Sequence, residues 1–257
     1  MIFDTHAHYD DKAFENDRET LLAGMKDAGV GYIVNVGAGM ASSERSIRLA
    51  EQYPFIYAAV GVHPDEVGEL DETQFARLKE WSNHEKVKAI GEIGLDYYWD
   101  KEKHDLQKNW FLRQMELAHE QKLPVIVHSR EAAQDTLDMM IAAKPLELRG
   151  VIHCYSYSVE LAREYLNMGY YLGIGGVLTF KNAKKLKEVA EYAPLSQIVL
   201  ETDSPYLAPV PYRAKRNNSS LLTYVVQELA AIKQISEEEI IAVTNENGRK
   251  LYNIQEK

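Results

Sequence analysis

The sequence opens with MIFDTHAH (residues 1–8), a short apolar run that ends on two histidines. Similar runs, rich in Val and Ile, recur along the chain and alternate with longer amphipathic segments. Because these runs do not alternate strictly between apolar and polar residues, they are typical of parallel strands covered on both faces. We therefore predict eight strands: Met1–His6, Tyr32–Val36, Phe55–Val62, Val87–Ile90, Pro124–His128, Gly150–His153, Tyr170–Ile174 and Ile198–Thr202.

The segments between these runs have the spacing of amphipathic helices, as in residues 19–29 and 220–233. Eight strand–helix alternations in about 250 residues predict an α/β fold, a (β/α)8 barrel that forms a single domain over residues 1–257. An open doubly wound sheet is less consistent with the chain, because the first turn is not rich in glycine. Ser236 and Glu239 match a capping box and predict an added C-terminal helix over residues 236–252.

The composition is that of an ordinary globular protein. Of the 257 residues, 46% are hydrophobic and 26% are charged, which argues against a disordered or coiled-coil chain. We expect no membrane partner, because no apolar stretch approaches the ~18 residues of a spanning helix. The N-terminus lacks the pattern of a signal peptide, and the single cysteine fits a reducing compartment, so we expect a cytoplasmic protein. The net charge of −10 argues against passive coating of nucleic acid.

Side chains that can bind metals stand at the carboxyl ends of five predicted strands. They are His6 and His8 on strand 1, Glu92 on strand 4, His128 on strand 5, His153 on strand 6 and Asp203 on strand 8. In barrels of this type, catalytic residues lie at these strand ends. One such histidine is usually a satisfied polar residue, but six ligand-type residues on five strands indicate a metal centre, because a cation offsets the cost of burying them.

Six ligands exceed the four that one tetrahedral zinc ion takes, so the pattern predicts two divalent ions. We expect His6 and His8 to hold one ion, His128 and His153 to hold the other, and Glu92 to bridge them. Asp203 would bind the first ion and accept a proton from the attacking water. A hydroxide activated between two metals is a nucleophile near neutral pH, so the predicted reaction is metal-assisted hydrolysis. Mixed ligands suit Zn, Mn or Fe, whereas Mg prefers more oxygen, and the sequence leaves the metal open.

Six motifs make the whole chain resemble the TatD family of metal-dependent deoxyribonucleases, in the amidohydrolase superfamily. The motifs are FDTHAH at 3–8, GVHP at 61–64, IGEIGLDYY at 90–98, VIVHSR at 125–130, IHCYS at 152–156 and LETDSPYLAP at 200–209. The resemblance implies a barrel with a two-metal site on the same six residues and cleavage of phosphodiester bonds at the 3′ ends of DNA. The sequence departs from the family's pattern at Ala214, Asn218 and Ser219, and at Tyr155 and Tyr157.

Several further residues are candidates for binding the substrate or supporting the site. Arg213, Lys215 and Arg216 follow strand 8 and could clamp a phosphate, since Arg pairs with its oxygens in bidentate fashion. His63 ends strand 3 and either contacts that phosphate or orders a loop. The aromatic residues at 97–99 either stack on a base or wall the pocket. Asp4 and Glu201 either orient the ligands or make ordinary hydrogen bonds inside the barrel.

Two other functions remain open at this point. A small-molecule amidohydrolase or esterase would use the same metal chemistry, and a metal-binding module without enzymatic activity is the remaining alternative. The basic residues after strand 8 favour nucleic acid, with single-stranded DNA as the expected substrate. The sequence leaves the oligomeric state open between a monomer and a small oligomer.

Overall fold

The computed structural model describes residues 1–99 and 102–255, and all eight predicted strands are present in it. The strands are β1 (Ile2–Ala7), β2 (Val30–Val36), β3 (Ile56–Val60), β4 (Val87–Asp96), β5 (Val125–Arg130), β6 (Gly150–Ile152), β7 (Tyr171–Ile174) and β8 (Ile198–Leu200). The α-helices are α1 (Arg18–Ala23), α2 (Met40–Gln52), α3 (Glu72–Trp81), α4 (His104–Gln121), α5 (Ala133–Ala142), α6 (Val159–Asn167), α7 (Lys184–Tyr192), α8 (Leu222–Lys233) and α9 (Glu237–Tyr252). No described helix combines the length and the apolar character that crossing a bilayer requires.

The strands follow one another in a single eight-stranded sheet, in the order β1 to β8, and the strand pairings that can be read are parallel. A helix lies between each pair of consecutive strands. This is the topology of the (β/α)8 barrel, and it confirms the predicted fold class. The chain falls into two compact units, which are Met1–Asn35 with Cys154–Lys257, and Val36–His153.

In the first unit, β1 joins β2 on one side and the end of β8 on the other. Ile2 and Phe3 lie opposite Val30 and Tyr32 of β2. The Thr5 hydroxyl donates a 2.9 Å hydrogen bond to the Leu200 carbonyl at the end of β8. These contacts hold the carboxyl ends of β1 and β8 side by side.

In the second unit, β3, β4, β5 and β6 pair in that order. The β4 strand continues to Asp96, six residues beyond its predicted end at Ile90, and it stays paired with β5 up to Arg130. Gly94 permits this approach, because its φ of 145° and the adjacent His128 carbonyl leave no room for a Cβ atom. The two glycines that interrupt the apolar pattern of β4 concealed its true length.

The first helix is shorter than its periodicity predicts. The expected segment spans residues 19–29, whereas α1 ends at Ala23 and turns carry the chain on to Gly29. Gly24 caps α1, and glycine is among the weakest helix formers, so the apolar spacing beyond it does not sustain a helix.

The predicted C-terminal helix is present as α9 and packs against β1. Its N-cap, Ser236, accepts a hydrogen bond from the backbone N–H of Glu239, as the capping pattern indicates. The Tyr252 hydroxyl donates to the carbonyl of Thr5 at 3.0 Å. Gly248 faces the ring of Phe3 so closely that a Cβ atom there would lie 2.7 Å from it. The helix therefore fixes the strand that leads to His6.

We predict that Gly248→Ala lowers the free energy of unfolding by about 1–3 kcal/mol, because the added methyl group overpacks the contact with Phe3. Without that contact, the same change within a helix would stabilise the protein by roughly 0.5–1 kcal/mol. Urea denaturation followed by circular dichroism measures the difference. Ala242→Ser on the exposed face of α9 is the control and is expected to stay within about 0.5 kcal/mol of the wild type. A stabilised Gly248→Ala protein would contradict the packing described for α9.

Candidate metal centre

His6, His8 and Asp203 form a compact cluster in the first unit. The Nε2 atoms of the two histidines lie 3.0 Å apart. The Oδ1 atom of Asp203 lies 3.3 Å from Nε2 of His8 and 3.8 Å from Nε2 of His6. His6 is buried, whereas the other two side chains are partly exposed. Three ligand atoms within 4.8 Å of one another suit a divalent cation reached from solvent.

The backbone after β8 turns sharply to bring Asp203 to this cluster. Asp203 has a φ of 56°, a left-handed conformation that Asp tolerates better than most residues. Its N–H donates a 2.9 Å hydrogen bond to the carbonyl of His6. The N–H of His8 donates to the carbonyl of Ser204 at 2.8 Å. The two strand ends therefore hold each other in register at these candidate ligands.

Asp4 lies two residues before His6 and connects β1 to the segment that follows β8. Its carboxylate accepts hydrogen bonds from the hydroxyl of Thr202 at 2.7 Å and from the hydroxyl of Ser219 at 2.6 Å. It also accepts from the backbone N–H of Thr202 at 3.0 Å. Complete burial raises the pKa of Asp4 to about 7, although these donors oppose the rise. Asp4 thus supports the backbone beneath His6.

Ser219, one of the residues that depart from the family pattern, takes part in this buried network. Besides donating to Asp4, its Oγ atom lies 2.7 Å from the hydroxyl of Tyr9, and its N–H donates to the same hydroxyl at 2.8 Å. Burial is the main cause that raises the pKa of Tyr9, so this hydroxyl stays protonated at neutral pH. The segment after β8 is consequently anchored to the segment after β1.

The second unit brings three more of the predicted residues together around Glu92. Its Oε1 atom lies 2.8 Å from Nδ1 of His128 and 3.8 Å from Nε2 of His153. Nε2 of His63 also lies 3.8 Å from Oε1 of Glu92. Glu92 is almost fully buried, whereas His63 and His128 are partly exposed. His63, Glu92 and His128 offer ligand atoms within 4.8 Å of one another.

Asp96, which is not among the residues predicted from the sequence, contacts this cluster directly. Its Oδ2 atom lies 2.9 Å from Nε2 of His128. Glu92 and Asp96 lie four residues apart along β4, an even spacing that places their side chains on one face of the strand. This alternation was the available signal, but the predicted strand stopped at Ile90. Asp96 also belongs to a further group of possible metal ligands, with His63 and Asp65.

The two carboxylates around His128 control its charge. Burial by itself lowers the pKa of His128, but the hydrogen bonds to Asp96 and Glu92 outweigh it and raise the pKa to about 9. Burial likewise opposes ionisation of Asp96, but the bond from His128 keeps its pKa below the usual value. A protonated His128 is therefore stabilised by both carboxylates. A divalent cation can take the place of that proton, so this donor set also fits a metal.

The three basic residues after β8 have different surroundings. The Arg213 guanidinium stacks on the ring of Phe180, 4.1 Å from its centre, and the residue is exposed. Lys215 is exposed as well. Arg216 instead makes a two-pronged salt bridge with Asp17, with a 2.8 Å bond from Nη1 to Oδ1. Of the three cations, Arg213 and Lys215 are thus the more available to a phosphate.

Comparisons with known proteins point to one family. The sequence model described as TatD related DNase matches residues 3–253. The chain is 43% identical to an uncharacterized metal-dependent hydrolase, YabD of Bacillus subtilis (strain 168), over 99% of this chain and 100% of YabD. It is 33% identical to a similar hydrolase, YcfH of Escherichia coli (strain K12), over 99% of this chain and 96% of YcfH. The crystal structure of YjjV, a TatD homolog from Escherichia coli K12, matches with a TM-score of 0.93 and 30% identity, over 99% of this chain and 98% of that one.

We predict that Asp96→Asn weakens the binding of Zn²⁺ or Mn²⁺ by about 10–100-fold, because a carboxylate that orients a ligating histidine contributes that much to metal affinity. Titration of the metal into metal-free protein, in competition with a chelator, measures the affinity. Asp138→Asn is the matched control, since Asp138 is an exposed carboxylate whose side chain accepts from Gln134. Equal affinities for Asp96→Asn and the wild type would show that Asp96 does not support a metal ligand.

Proposed function

Because the chain belongs to the TatD family of metal-dependent hydrolases, we propose that it is a cytoplasmic deoxyribonuclease that cleaves phosphodiester bonds at the 3′ ends of single-stranded DNA. The observation that carries the proposal is the pair of histidine and carboxylate clusters, one in each unit, at the carboxyl ends of the strands. Clusters of this chemistry are typical of hydrolases that activate water with divalent metals. Hydrolysis is the reaction class of the family, and DNA is the specific substrate that we propose.

We propose that the site holds two divalent ions, of Zn, Mn, Mg or Fe. His6, His8 and Asp203 would hold one ion, and His128 and His153 would hold the other, with Glu92 as the shared ligand. The short distances within each cluster support this division. The mixture of imidazole and carboxylate donors favours Zn, Mn or Fe over Mg.

The chain's own residues have distinct roles in the proposed reaction. Asp203 accepts a proton from the attacking water, because its carboxylate is partly exposed and lies beside His8. Glu92 is held by His128 and presents its carboxylate to the reacting centre. Two bound divalent ions would lower the pKa of the attacking water and neutralise charge on the phosphodiester. Asp4 supports the backbone near His6 through its hydrogen bond with Thr202, and Asp96 orients His128 through direct contact.

The substrate phosphate is proposed to contact His63, Arg213, Lys215 and Arg216. Arg213 and Lys215 are exposed, so they place two positive charges on the surface of a chain whose net charge is −10. His63 offers its Nε2 atom on the side of Glu92. Phosphate contacts of this kind make binding weaken as salt is added.

One observation favours the alternative of a small-molecule amidohydrolase or esterase. Arg216, one of the four proposed phosphate contacts, already pairs with Asp17 through two hydrogen bonds. A substrate without a polyanionic backbone would leave that salt bridge intact. The same metal chemistry would then act on a small ester or amide.

We predict that His128→Ala and Asp203→Asn each lower kcat by at least about 100-fold on a 3′-labelled single-stranded oligonucleotide. The first change removes a metal ligand, and the second removes the group that accepts the proton, which by itself contributes about 10²–10⁴-fold. Removal of metal with a chelator is expected to abolish cleavage, and adding back Zn²⁺ or Mn²⁺ is expected to restore it. Gel electrophoresis of the labelled products measures the rate.

His84→Ala is the matched control for this experiment. His84 is a partly exposed histidine that pairs with Glu51, and its loss is expected to leave kcat within about twofold of the wild type. Full activity in either His128→Ala or Asp203→Asn would contradict the proposed roles. If the wild-type protein cleaves small esters or amides but no oligonucleotide, the result would favour the small-molecule amidohydrolase or esterase over the deoxyribonuclease.

We predict that Arg213→Ala raises KM for the oligonucleotide, because one phosphate contact is lost. For the same reason, the slope of log affinity against log salt concentration is expected to become shallower by about 0.7. Binding at several salt concentrations measures the slope. Arg163→Ala is the control, since Arg163 is an arginine whose side chain bonds to the hydroxyl of Tyr192. An unchanged slope and KM for Arg213→Ala would argue against phosphate recognition after β8.

A further inference from the structure

Two large aromatic side chains stand exposed immediately after β4. Tyr98 is 42% exposed and Trp99 is 66% exposed. Their rings pack edge to face, with centres 4.7 Å apart. Contiguous exposed apolar side chains, unlike single ones, can mark a surface that binds a ligand or a partner. From the sequence, these aromatic residues either stack on a base or wall the pocket.

The preceding residue, Tyr97, is anchored instead. Its ring stacks on His104, with centres 3.6 Å apart, and its hydroxyl donates a 2.7 Å hydrogen bond to Asp135. Burial is the main cause that raises its pKa, so the hydroxyl stays protonated at neutral pH. Tyr97 therefore fixes the chain at this point, and Tyr98 and Trp99 are the members of the group left to meet a ligand.

Asp96 couples the exposed pair to the metal-binding cluster. Its Oδ1 atom accepts the backbone N–H groups of Tyr98 at 2.9 Å and of Trp99 at 3.1 Å. Its Oδ2 atom contacts His128. One carboxylate thus holds both a candidate metal ligand and the turn that presents the two rings. The turn that carries the two rings is therefore tied to His128 through one side chain.

Arg130 adds a positive charge to the same surface. It ends β5, two residues after His128, and lies opposite Asp96 in the strand pairing. Its guanidinium stacks over Tyr98 at 4.0 Å from the ring centre and lies 5.5 Å from the centre of Trp99. A guanidinium stacked on an aromatic ring keeps its outer N–H groups available for phosphate oxygens.

We propose that Tyr98, Trp99 and Arg130 form a stacking platform for an unpaired nucleobase of the substrate. This inference rests on the proposed function, because it names how the nucleic acid is held beside the same site. Aromatic rings combined with a cation are the usual means by which proteins hold single strands, since every base has a face to stack and every nucleotide a phosphate. A base within a duplex is already stacked, so the platform selects single-stranded DNA or an unpaired end.

The test compares the wild type and Trp99→Ala for their binding to an oligomer with bases and to one that lacks bases at its 3′ end. Two fluorescent oligomers are compared by anisotropy: an oligothymidylate, and the same oligomer with abasic residues at its 3′ end, both with phosphorothioate linkages that slow cleavage. The wild type is expected to bind the thymidine oligomer about 5–100-fold more tightly than the abasic one. Trp99→Ala is expected to reduce this preference to near unity, and Trp99→Phe to retain most of it.

Tyr192→Ala is the matched control, because Tyr192 is 45% exposed and also pairs with an arginine, Arg163. It is expected to keep the full base preference. The platform is overturned if the base preference survives in both single variants, Trp99→Ala and Tyr98→Ala. It is also overturned if the wild type binds the two oligomers equally or binds neither. Cleavage is scored separately. Binding with a preference that depends on Trp99 but without cleavage would refute the deoxyribonuclease proposal and leave the platform standing.

Discussion

Imidazole nitrogens and carboxylate oxygens are crowded together at the ends of the strands, and buried hydrogen bonds around them hold this arrangement. Such groups repel or lose solvent when they are brought together, and only a proton or a cation between them makes the arrangement favourable. Around His128 the balance is visible, because Asp96 and Glu92 together raise the pKa of the ring to about 9. The same attraction that holds this proton is available to a metal ion.

A buried carboxylate, a packed helix and a glycine hold these groups in place. Asp4 is completely buried and depends on Thr202 and Ser219 for hydrogen bonds. The α9 helix packs against the same strand through Gly248 and Tyr252. On β4, Gly94 has no side chain, and a Cβ atom at this position would clash with the backbone of His128. These features matter to the ligands because a divalent ion tolerates only small errors in ligand position.

Much of the fold and of the candidate site could be predicted from the sequence. The parallel strands were recognisable because each is a short apolar run, and the ligand-type residues stood out because they follow those runs. Asp96 was missed because Gly91 and Gly94 break the apolar pattern of β4, although pairing with β5 sustains the strand. Arg216 illustrates another limit, since the sequence shows its charge but not that Asp17 pairs with it. Long-range contacts of this kind depend on the assembled fold.

The aromatic residues after β4 show how tertiary contacts divide a uniform motif. In sequence, residues 97–99 are equivalent candidates for contact with a base. In the structure, His104 and Asp135 hold Tyr97, whereas Tyr98 and Trp99 remain exposed under Arg130. The exposure of Tyr98 and Trp99 therefore depends on packing that local sequence does not reveal, whereas the candidate metal ligands can be recognised from their positions at strand ends.

A crystal structure of the metal-loaded protein, with anomalous scattering recorded at the absorption edge of the bound metal, tests the two-metal proposal. We expect two anomalous peaks, one against His6, His8 and Asp203 and the other against His128 and His153, with Glu92 touching both. A single peak, or two peaks that do not share Glu92, would contradict the proposal that these six side chains form one two-metal centre.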